Sequence, residues 1–311
     1  MLSIVVPVFN EKESLQYFYD ELIKNLSKIN KSYEVVFVDD GSNDGSLEIL
    51  KDFEKKNKNV RIFSLRKNQG KAEVLTIGFQ KAKGDFMVTL DADLQDKPDE
   101  IKALLNKLDE GYDVVSGWRK NRKDSLGKVF FSRVFNLLAS TIWGVKLHDY
   151  NCGLKAYKKE AAKSLNLYGG MHRFIPLLSF AQGFKVTEIP TKHEERRYGK
   201  SKYGISKVVK DLPDMFTMIF LHKYSKKPMH FFGIFGSILF GIGSIILAYL
   251  SILRFQGESI GNRPLLLFGI LLVLAGIQVF FTGFLADLLL HLNQKNDQVD
   301  SSSYILKYST D

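Results

Sequence analysis

Short runs of β-branched and aromatic residues alternate with longer polar stretches of helical period in the first part of the chain. The runs that predict strands cover residues 3–9, 33–39, 60–65, 85–90 and 113–117. Each of the first four is followed by a stretch with helical spacing, such as 11–30 and 70–83. This alternation predicts an α/β fold with a mostly parallel sheet and helices on both faces. Such sheets bind ligands beyond the carboxyl ends of their strands.

Two long apolar stretches in the last third of the chain predict a transmembrane hairpin. Residues 231–253 and 264–286 are each 23 residues long and contain no charged side chain. At about 1.5 Å per residue each extends roughly 34 Å, enough to cross a hydrocarbon core of about 30 Å. A buried helix pair in a soluble protein is the weaker alternative. The glycines that offer small faces for helix contact are Gly233, Gly236, Gly241 and Gly243.

Two further apolar segments, residues 129–145 and 205–221, are too short or too charged to span a bilayer. Helices lying in the membrane interface and ordinary core helices are equally consistent with their composition. Both segments belong to the part of the chain that precedes the hairpin. Either interpretation adds them to the α/β domain rather than to the spans.

The pattern divides the chain into three regions. The expected bounds are an α/β domain over 1–228, a hairpin region over 229–291 and a mobile tail over 292–311 that is rich in Ser, Asp, Asn and Gln. Lys223, Lys226 and Lys227 lie just before the first span. Positive residues beside a span favour the cytoplasmic side, and a hairpin returns the chain to the side it left. We therefore expect the domain and both termini in the cytoplasm.

Composition narrows the class of protein. The chain has 311 residues, of which 45% are hydrophobic and 13% aromatic, too many for a disordered protein. Cys152 is the single cysteine, so no disulfide forms within the chain and a reducing compartment is favoured. The net charge of +10 comes from residues 111–230, which hold 23 basic and 9 acidic side chains. Such an excess suits a phosphate, an acidic membrane surface or simply a solvated lysine-rich face.

Carboxylates follow two of the predicted strands. Asp40 comes directly after the second strand, and Asp91 and Asp93 follow the fourth with Ala92 between them. Two carboxylates at this spacing can converge on a hard divalent cation and its phosphates, and Gln95 can supply a further oxygen. The cation would neutralise the charge that develops on a diphosphate leaving group. Neither G-x-G-x-x-G nor a P-loop motif occurs, which argues against dinucleotide oxidoreductases and P-loop nucleotidases.

Several ordered motifs resemble those of glycosyltransferase family 2. They are PVFNE at 7–11, VDDGS at 38–42, NQGK at 68–71 and DADLQ at 91–95. The segment RRYGKSKY at 196–203 resembles the R-x-x-G-x-S-K signature of the dolichol-phosphate mannose synthase-like branch. The segments DYNCGLKAY at 149–157 and MHRFIP at 171–176 fit the same branch. The whole pattern is similar to bacterial polyprenyl-phosphate glycosyltransferases, such as those that act on undecaprenyl phosphate, with two C-terminal transmembrane helices.

The resemblance implies a Rossmann-like GT-A domain that binds a nucleotide sugar linked to UDP or GDP. The residues implied for donor binding are Pro7, Phe9, Glu11, Val38, Asp40, Lys71, Asp91, Ala92, Arg196 and Lys202. The ligands implied for Mg²⁺ or Mn²⁺ are Asp91, Asp93 and Gln95. Phe9 stands where the family usually has a tyrosine, so ring stacking is kept and a hydroxyl is lost.

The resemblance also implies the catalytic and acceptor groups. Asp149, Asp93 and Arg119 are the catalytic candidates. The candidates for binding the acceptor phosphate are Arg119, Arg133, His172, Arg173 and Ser201. Asp149 matches a position often assigned as a general base. A phosphate acceptor is already largely a dianion at neutral pH, because its second pKa is about 6. Orienting the donor or a basic partner is therefore an equal alternative for Asp149.

The activity implied is an inverting, metal-dependent transfer of one sugar from a nucleotide sugar to a polyprenyl phosphate at the cytoplasmic face of the inner membrane. A UDP-hexose is favoured as the donor, with glucose first. The Q-x-x-R-W motif of processive members is absent, which favours a single transfer. The alternatives are a GDP-mannose-dependent mannosyltransferase, a transferase to another lipid or glycan hydroxyl, and a membrane-tethered nucleotide-binding protein without turnover. Glycine-faced spans allow a homo-oligomer, and no nucleic-acid partner is expected.

Overall fold

The computed structural model describes residues 1–120, 145, 147–194, 224, 227–261, 263–293 and 306–309. The chain divides into two compact units, one formed by Met1–Met215 with Ser303–Asp311 and the other by Phe216–Ser302. The first unit is built on a β-sheet with helices packed against it, and the second is a pair of long helices. The predicted interfacial segment 205–221 and nearly all of segment 129–145 lie outside the described residues.

Strands and helices alternate through the first unit in the predicted order. The strands are β1 (Leu2–Val8), β2 (Tyr33–Asp39), β3 (Val60–Leu65), β4 (Phe86–Thr89), β5 (Val114–Arg119), β6 (Lys155–Lys158), β7 (Val186–Thr191) and β8 (Leu306–Ser309). The helices are α1 (Lys12–Leu26), α2 (Ser46–Lys56), α3 (Lys71–Lys81), α4 (Ile101–Asp109), α5 (Lys159–Lys163) and α6 (Ile175–Ala181), with short 3-10 turns at Pro98–Glu100 and Met171–Arg173. All five strands predicted from the sequence are present.

The strands form one eight-stranded sheet in the order β7-β5-β6-β4-β1-β2-β3-β8. Strand β1 runs parallel to β2 and β4, β2 runs parallel to β3, and β5 runs parallel to β7. Strand β6 is antiparallel to both β4 and β5. The mostly parallel α/β fold is therefore confirmed. Because β1, β2, β3 and β4 all end at the same edge, the loops that follow them are brought together there.

The last strand lies within residues 292–311, which the sequence assigns to a mobile tail. Residues 306–309 pair antiparallel with β3 and form the outer edge of the sheet. An edge strand offers unpaired N–H and C=O groups, and a short extended segment of the same chain can satisfy them. Four residues are too short for a hydrophobic pattern to mark a strand, which is why the sequence gives no sign of it.

The core of the first unit follows from the sequence pattern. All but one residue of β1 are buried, as expected for a central parallel strand that is covered on both faces. Helix α1 places its core residues at helical spacing on one face, and these are Leu15, Phe18, Leu22 and Leu26. They belong to a continuous buried cluster with side chains of β1, β2 and α4. This core holds the strand ends, and hence the loops, in fixed positions.

The second unit is a hairpin of α7 (Pro228–Phe255) and α8 (Pro264–Asn293). Both helices are long and apolar enough to cross a membrane, and only 17% and 11% of their most apolar windows are buried. A Cβ at Gly276 would lie 2.8 Å from the carbonyl oxygen of Gly236, and one at Gly243 would lie 2.8 Å from the nitrogen of Val273. The two helices therefore meet through glycines. Among the described residues, no atom of α8 lies within 4 Å of a Cβ built at Gly241, so this glycine takes no part in the contact.

Candidate active site

The loops that follow β1 and β2 are joined to each other at the carboxyl edge of the sheet. The Asn10 N–H donates to Ser42 Oγ at 2.9 Å, and the Asn43 N–H donates to Asn10 Oδ1 at 3.0 Å. The Glu11 N–H donates to Ser46 Oγ at 3.1 Å. Asn10 adopts a φ of 52°, a left-handed conformation that asparagine tolerates better than most residues. These contacts bring the 7–11 and 38–42 motifs into one structure.

Two of the residues implied for nucleotide binding, Pro7 and Val38, lie side by side near the ends of β1 and β2. Pro7 and Val38 are register partners in the β1–β2 pair, and Phe9 is partly exposed just beyond β1. Gly41 has a φ of 71°, and a Cβ there would lie 2.8 Å from the carbonyl carbon of Lys67. Only glycine fits at this position, because the backbone of the next loop approaches so closely.

Asp40 joins the loop before α3 to the end of β2. Its carboxylate accepts the Gln69 N–H at 2.6 Å, the Gly70 N–H at 3.0 Å and Asn68 Nδ2 at 2.8 Å. The side chain is buried, with a relative exposure of 4%. Burial raises the pKa of Asp40, and the two backbone N–H donors oppose that rise in part. Asp40 thus shapes the edge of the sheet by holding the NQGK motif in place.

Lys71 and Asp91 form an ion pair between the start of α3 and the end of β4. Lys71 Nζ lies 2.6 Å from both carboxylate oxygens of Asp91. Burial disfavours the charged form of Asp91, but the Lys71 ammonium outweighs it and holds the pKa of Asp91 below its usual range. Gly153 packs closely behind the pair, since a Cβ there would lie 2.5 Å from Asp91 Oδ2. The pair is partly exposed and faces the edge of the sheet.

Asp93 and Gln95 lie on a tight turn that follows Asp91. Leu94 has a φ of 63°, and Asp93 Oδ1 accepts the Gln95 N–H at 3.2 Å. Among the residues that the structure describes, no three His, Cys, Asp or Glu side chains converge on a point where they could hold a metal. Mg²⁺ is commonly bound by one or two protein carboxylates together with substrate phosphates. The oxygen ligands of Asp93 and Gln95 fit a cation of this kind.

Arg119 and Asp149 form a second ion pair, between the end of β5 and the loop before β6. Arg119 Nε donates to Asp149 Oδ2 at 2.6 Å, and Nη2 donates to Oδ1 at 3.0 Å. Both side chains are largely buried. Burial alone would lower the pKa of Arg119, but the two bonds to Asp149 outweigh it and raise the pKa above its usual range. The guanidinium therefore stays charged and keeps one orientation.

A buried lysine lies close to the Lys71–Asp91 pair, and sequence reasoning did not identify it. Lys155 is 3% exposed, and its ammonium donates to the carbonyl oxygen of Cys152. Burial lowers the pKa of Lys155 to about 8. A small cavity of about 10 Å³, close to the size of one water molecule, is lined in part by Lys71, Lys155 and His172. The only sequence signal for Lys155 is its place in the 149–157 motif.

The acceptor candidates fall in different places. His172 lines the same small cavity, in the 3-10 turn Met171–Arg173, and Arg173 is buried beside it. Arg119 belongs to the pair with Asp149 described above. The acceptor candidates Arg133 and Ser201 lie outside the described residues, as do the donor candidates Arg196 and Lys202.

A further segment pairs with the turn that carries Gln95. Asp96 and His193 form an isolated antiparallel bridge, and the Glu194 N–H donates to the Gln95 carbonyl oxygen at 3.0 Å. The His193 ring lies 3.4 Å from Asp96 Oδ1, and both side chains are buried. Asp96 directly follows Gln95 in the sequence, whereas no sequence pattern indicated His193. His193 and Asp96 are about one hundred positions apart in the sequence, so only the fold brings them into contact.

The fold and the site together define a class of enzymes. A mostly parallel sheet gathers carboxylates, a lysine and a turn with oxygen ligands at the carboxyl edge of its central strands, as in GT-A enzymes that bind nucleotide sugars. Residues 3–165 match the family described as Glycosyl transferase family 2. The chain belongs to glycosyltransferase family 2.

Relatives with known names align over most of the chain. Dodecaprenyl-phosphate galacturonate synthase of Rhizobium johnstonii is 35% identical over 98% of this chain and 92% of its own length. Undecaprenyl-phosphate 4-deoxy-4-formamido-L-arabinose transferase of Edwardsiella ictaluri is 35% identical over 92% of this chain and 87% of its own. These similarities extend beyond the α/β domain into the helical hairpin.

Solved structures share the fold at lower identity. Mannosyl-3-phosphoglycerate synthase of Rubrobacter xylanophilus has a TM-score of 0.55 and 16% identity, covering 70% of this chain and 72% of that one. Glucosyl-3-phosphoglycerate synthase of Mycobacterium tuberculosis has a TM-score of 0.52 and 20% identity, covering 71% and 78%. Both agree with a GT-A assignment of the sheet domain.

Proposed function

We propose that this glycosyltransferase moves one sugar from a nucleotide sugar to the phosphate of a polyprenyl lipid, with inversion at the anomeric carbon. The observation that carries the proposal is the cluster of Lys71, Asp91 and Asp93 at the carboxyl edge of the sheet. The Lys71 ammonium can bind a diphosphate directly, and the two carboxylates can bind it through a divalent metal ion. The lipid acceptor is supported by the two relatives, whose names specify dodecaprenyl and undecaprenyl phosphate, and by the apolar hairpin.

The donor side of the site would be built by the β1, β2 and α3 loops. Pro7, Phe9 and Val38 would contact the base and ribose, while Asp40 keeps the 68–70 loop in position beside them. Lys71 would place its ammonium near the diphosphate. A UDP-hexose is the preferred donor, with glucose first. The names of the relatives add galacturonate and 4-deoxy-4-formamido-L-arabinose as donors to be tried, and GDP-mannose is the alternative nucleotide.

The transfer would be a single displacement. An oxygen of the lipid phosphate attacks the anomeric carbon and forms the new C–O bond, and the bond to the nucleoside diphosphate breaks on the opposite face. The phosphate needs no base, because at neutral pH it is largely a dianion. Asp93 and Gln95, together with Asp91, would hold Mg²⁺ or Mn²⁺ at the diphosphate. Such an ion supplies charge neutralisation to the leaving group.

Arg119 and Asp149 would act as a fixed cation and its support. Both carboxylate oxygens of Asp149 accept bonds from the Arg119 guanidinium, so they are engaged rather than directed at a substrate proton. This favours positioning over general-base catalysis for Asp149. Arg119 would then orient a phosphate, because a guanidinium with a set direction binds phosphate oxygens in a defined geometry.

The hairpin would hold the enzyme at the membrane that contains its acceptor. A polyprenyl chain does not leave the bilayer, so a transferase acting on its phosphate benefits from an anchor in the same bilayer. The lysines before α7 support a cytoplasmic position for the sheet domain and both termini, at the inner membrane. Gly236 and Gly243 already contact α8 of the same hairpin, so a homo-oligomer through these glycines is not part of the proposal.

The test is a transfer assay with the purified full chain in detergent. Undecaprenyl phosphate is incubated with radiolabelled UDP-glucose, UDP-galacturonate, UDP-4-deoxy-4-formamido-L-arabinose or GDP-mannose, each with Mg²⁺, with Mn²⁺ and with EDTA. We expect one donor to label the lipid in a metal-dependent manner. Labelling only of diacylglycerol or of a glycan hydroxyl would contradict the phosphate acceptor. Donor binding without any transfer would favour a binding protein without turnover.

A further inference from the structure

Glu188 on β7 contacts the backbone of the loop that carries Asp149. Its side chain is 10% exposed, and it is the register partner of Ser116 on β5. The carboxylate accepts the His148 N–H at 2.8 and 2.9 Å and the Asp149 N–H at 3.2 Å. It also contacts His148 Nδ1. One carboxylate therefore holds two successive backbone N–H groups of this loop.

Besides the ion pair between Arg119 and Asp149, the same loop makes two weaker contacts with β5. The His148 ring stacks on Trp118 with centroids 4.1 Å apart and an interplanar angle of 17°. Ser116 Oγ lies 3.5 Å from the Asp149 carbonyl oxygen, at the limit of a hydrogen bond. Bonds to a carboxylate are about twice as strong as those between neutral groups. Glu188 therefore supplies the strongest of these restraints on the backbone at Asp149.

The position of this backbone decides where the Asp149 carboxylate points. Asp149 uses both oxygens to bind Arg119, and the fit is bidentate, so it depends on a well-defined direction of approach. A shift of the loop by about 1 Å would take one of the two bonds beyond hydrogen-bond distance. The contacts thus run in order from Glu188 to the 148–149 backbone, then to the Asp149 carboxylate and the Arg119 guanidinium.

We infer that Glu188 is a positioning residue that aligns Asp149, and through it Arg119, for sugar transfer. The inference rests on the proposed function, which assigns Arg119 to a phosphate. Glu188 itself touches no group that we assign to substrate. Its effect on the reaction passes through Asp149, and this makes the inference open to a test by double substitution.

The first measurement compares two substitutions of Glu188 in the full chain in detergent. Glu188→Ala removes the acceptor of both N–H groups, and we expect kcat to fall about 10²-fold, the size of effect that a displacement of about 1 Å can have on a reacting group. The donor KM should change little, because Asp40 and its loop are not touched. Glu188→Gln keeps one side-chain oxygen for the N–H groups and should restore most of the lost turnover.

Asp113 provides a matched control at the opposite end of β5. Its carboxylate accepts the Lys185 N–H at 2.9 Å and binds Lys158 Nζ at 2.9 Å. Asp113→Ala therefore removes a similar set of contacts between β5 and the neighbouring segments, at the end of the strand away from Arg119. We expect it to lower the melting temperature about as much as Glu188→Ala does, and to leave the turnover of the folded enzyme unchanged. Equal losses of kcat in both variants would reduce Glu188 to a structural role.

The decisive measurement is the double variant that combines Glu188→Ala with Asp149→Ala. If Glu188 acts through Asp149, adding Glu188→Ala to Asp149→Ala lowers kcat no further. If the two losses multiply, Glu188 acts independently and the inference is overturned. If Glu188→Ala retains the turnover of the wild type, this inference alone is overturned. A wild-type chain that transfers no sugar from any donor would overturn the proposed function and this inference together.

Discussion

Ion pairs lie at both ends of the parallel strands, and they differ in their exposure to solvent. At the amino end, Glu34 accepts Ser3 Oγ at 2.6 Å, the Lys83 N–H at 2.5 Å and Arg61 Nη1 at 3.0 Å. Arg61 also donates to the Lys81 carbonyl oxygen at 2.7 Å. Burial disfavours the charge of Glu34, but these donors outweigh it and lower the pKa of Glu34. At the amino end these groups therefore bind one another in a network with little exposure to solvent.

At the carboxyl end the ion pair stays open to solvent. The Lys71 and Asp91 side chains are 29% and 30% exposed, against 12% and 7% for Arg61 and Glu34. Asp93 follows on a turn that is also partly exposed. The same chemical groups therefore serve different purposes at the two ends. Removing one partner of a buried ion pair is strongly destabilising, because it leaves the other charge buried without a counter-charge. A side chain of an exposed ion pair can instead leave its partner and bind a ligand.

The strongest test of this difference is Asp93→Ala at the carboxyl end. We expect transfer to fall by about 10³-fold, comparable to the loss of a key electrostatic contact in other enzymes, because Asp93 is an expected ligand of the cation at the diphosphate. The melting temperature should stay close to that of the wild type. Transfer is measured with labelled donor and undecaprenyl phosphate.

Removal of the metal is the matching control for that variant. EDTA should lower wild-type transfer to the level of Asp93→Ala, and added Mg²⁺ or Mn²⁺ should restore only the wild type. A variant that retains full metal-dependent turnover would remove Asp93 from the site. A melting temperature far below that of the wild type would assign Asp93 a structural role like that of Glu34 instead.

The opposite result is expected at the amino end for Glu34→Ala. The substitution leaves Arg61 buried without its carboxylate, and we expect the free energy of unfolding to fall by about 3 kcal/mol. Turnover per folded molecule should be unchanged, since the network is at the far end of the strands from the site. Urea unfolding of the full chain in detergent measures the loss. Asp52→Ala, in an exposed pair with Lys55, should be close to neutral and serves as the control.

The sequence predicts much of this arrangement because its strongest signals are local. The runs at 33–39 and 60–65 coincide with β2 and β3, and the apolar stretches at 231–253 and 264–286 lie within α7 and α8. Hydrophobic period and run length fix such elements without knowledge of the rest of the chain. The placement of Asp40 and Asp93 after strand ends likewise follows from the order of elements.

The contacts that complete the site depend on residues far apart in the chain. Strand β6 is inserted antiparallel between β4 and β5, and this pairing places the buried Lys155 near Asp91. Glu188 and His193 reach the site from β7 and the segment beyond it. No local pattern encodes which strand a short segment will join, so these partners were not predictable from periodicity.

A smaller loss is expected for Asp149→Asn, a variant that separates positioning from proton transfer at the carboxyl end. An amide keeps one oxygen for Arg119 but loses the charge, so we expect transfer to fall by roughly 10-fold, in line with a bond that is about half as strong. Steady-state kcat at several lipid concentrations measures it. The variant should still transfer sugar far faster than Asp93→Ala. A loss as deep as that of Asp93→Ala would contradict positioning and favour a general base.

The smallest expected effect is the pH dependence of stability. It compares the buried basic side chains at the two ends of the parallel strands. Arg61 at the amino end is paired with the Glu34 carboxylate, whereas burial at the carboxyl end lowers the pKa of Lys155 to about 8. Between that value and the ordinary lysine pKa of about 10.4, the unfolded chain binds more protons than the folded one, so stability rises with pH by at most about 1.4 kcal/mol per unit.

Lys155→Met removes this titrating group, and the rise should become shallower in the variant. The melting temperature of the full chain in detergent, followed from pH 7.5 to pH 9.5, compares the two slopes. Other groups titrate in both proteins, so the difference between the slopes isolates Lys155. Equal slopes would mean that Lys155 has an ordinary pKa in the folded protein, and hence that the carboxyl end holds it in a more hydrated position than its contact with the Cys152 carbonyl indicates.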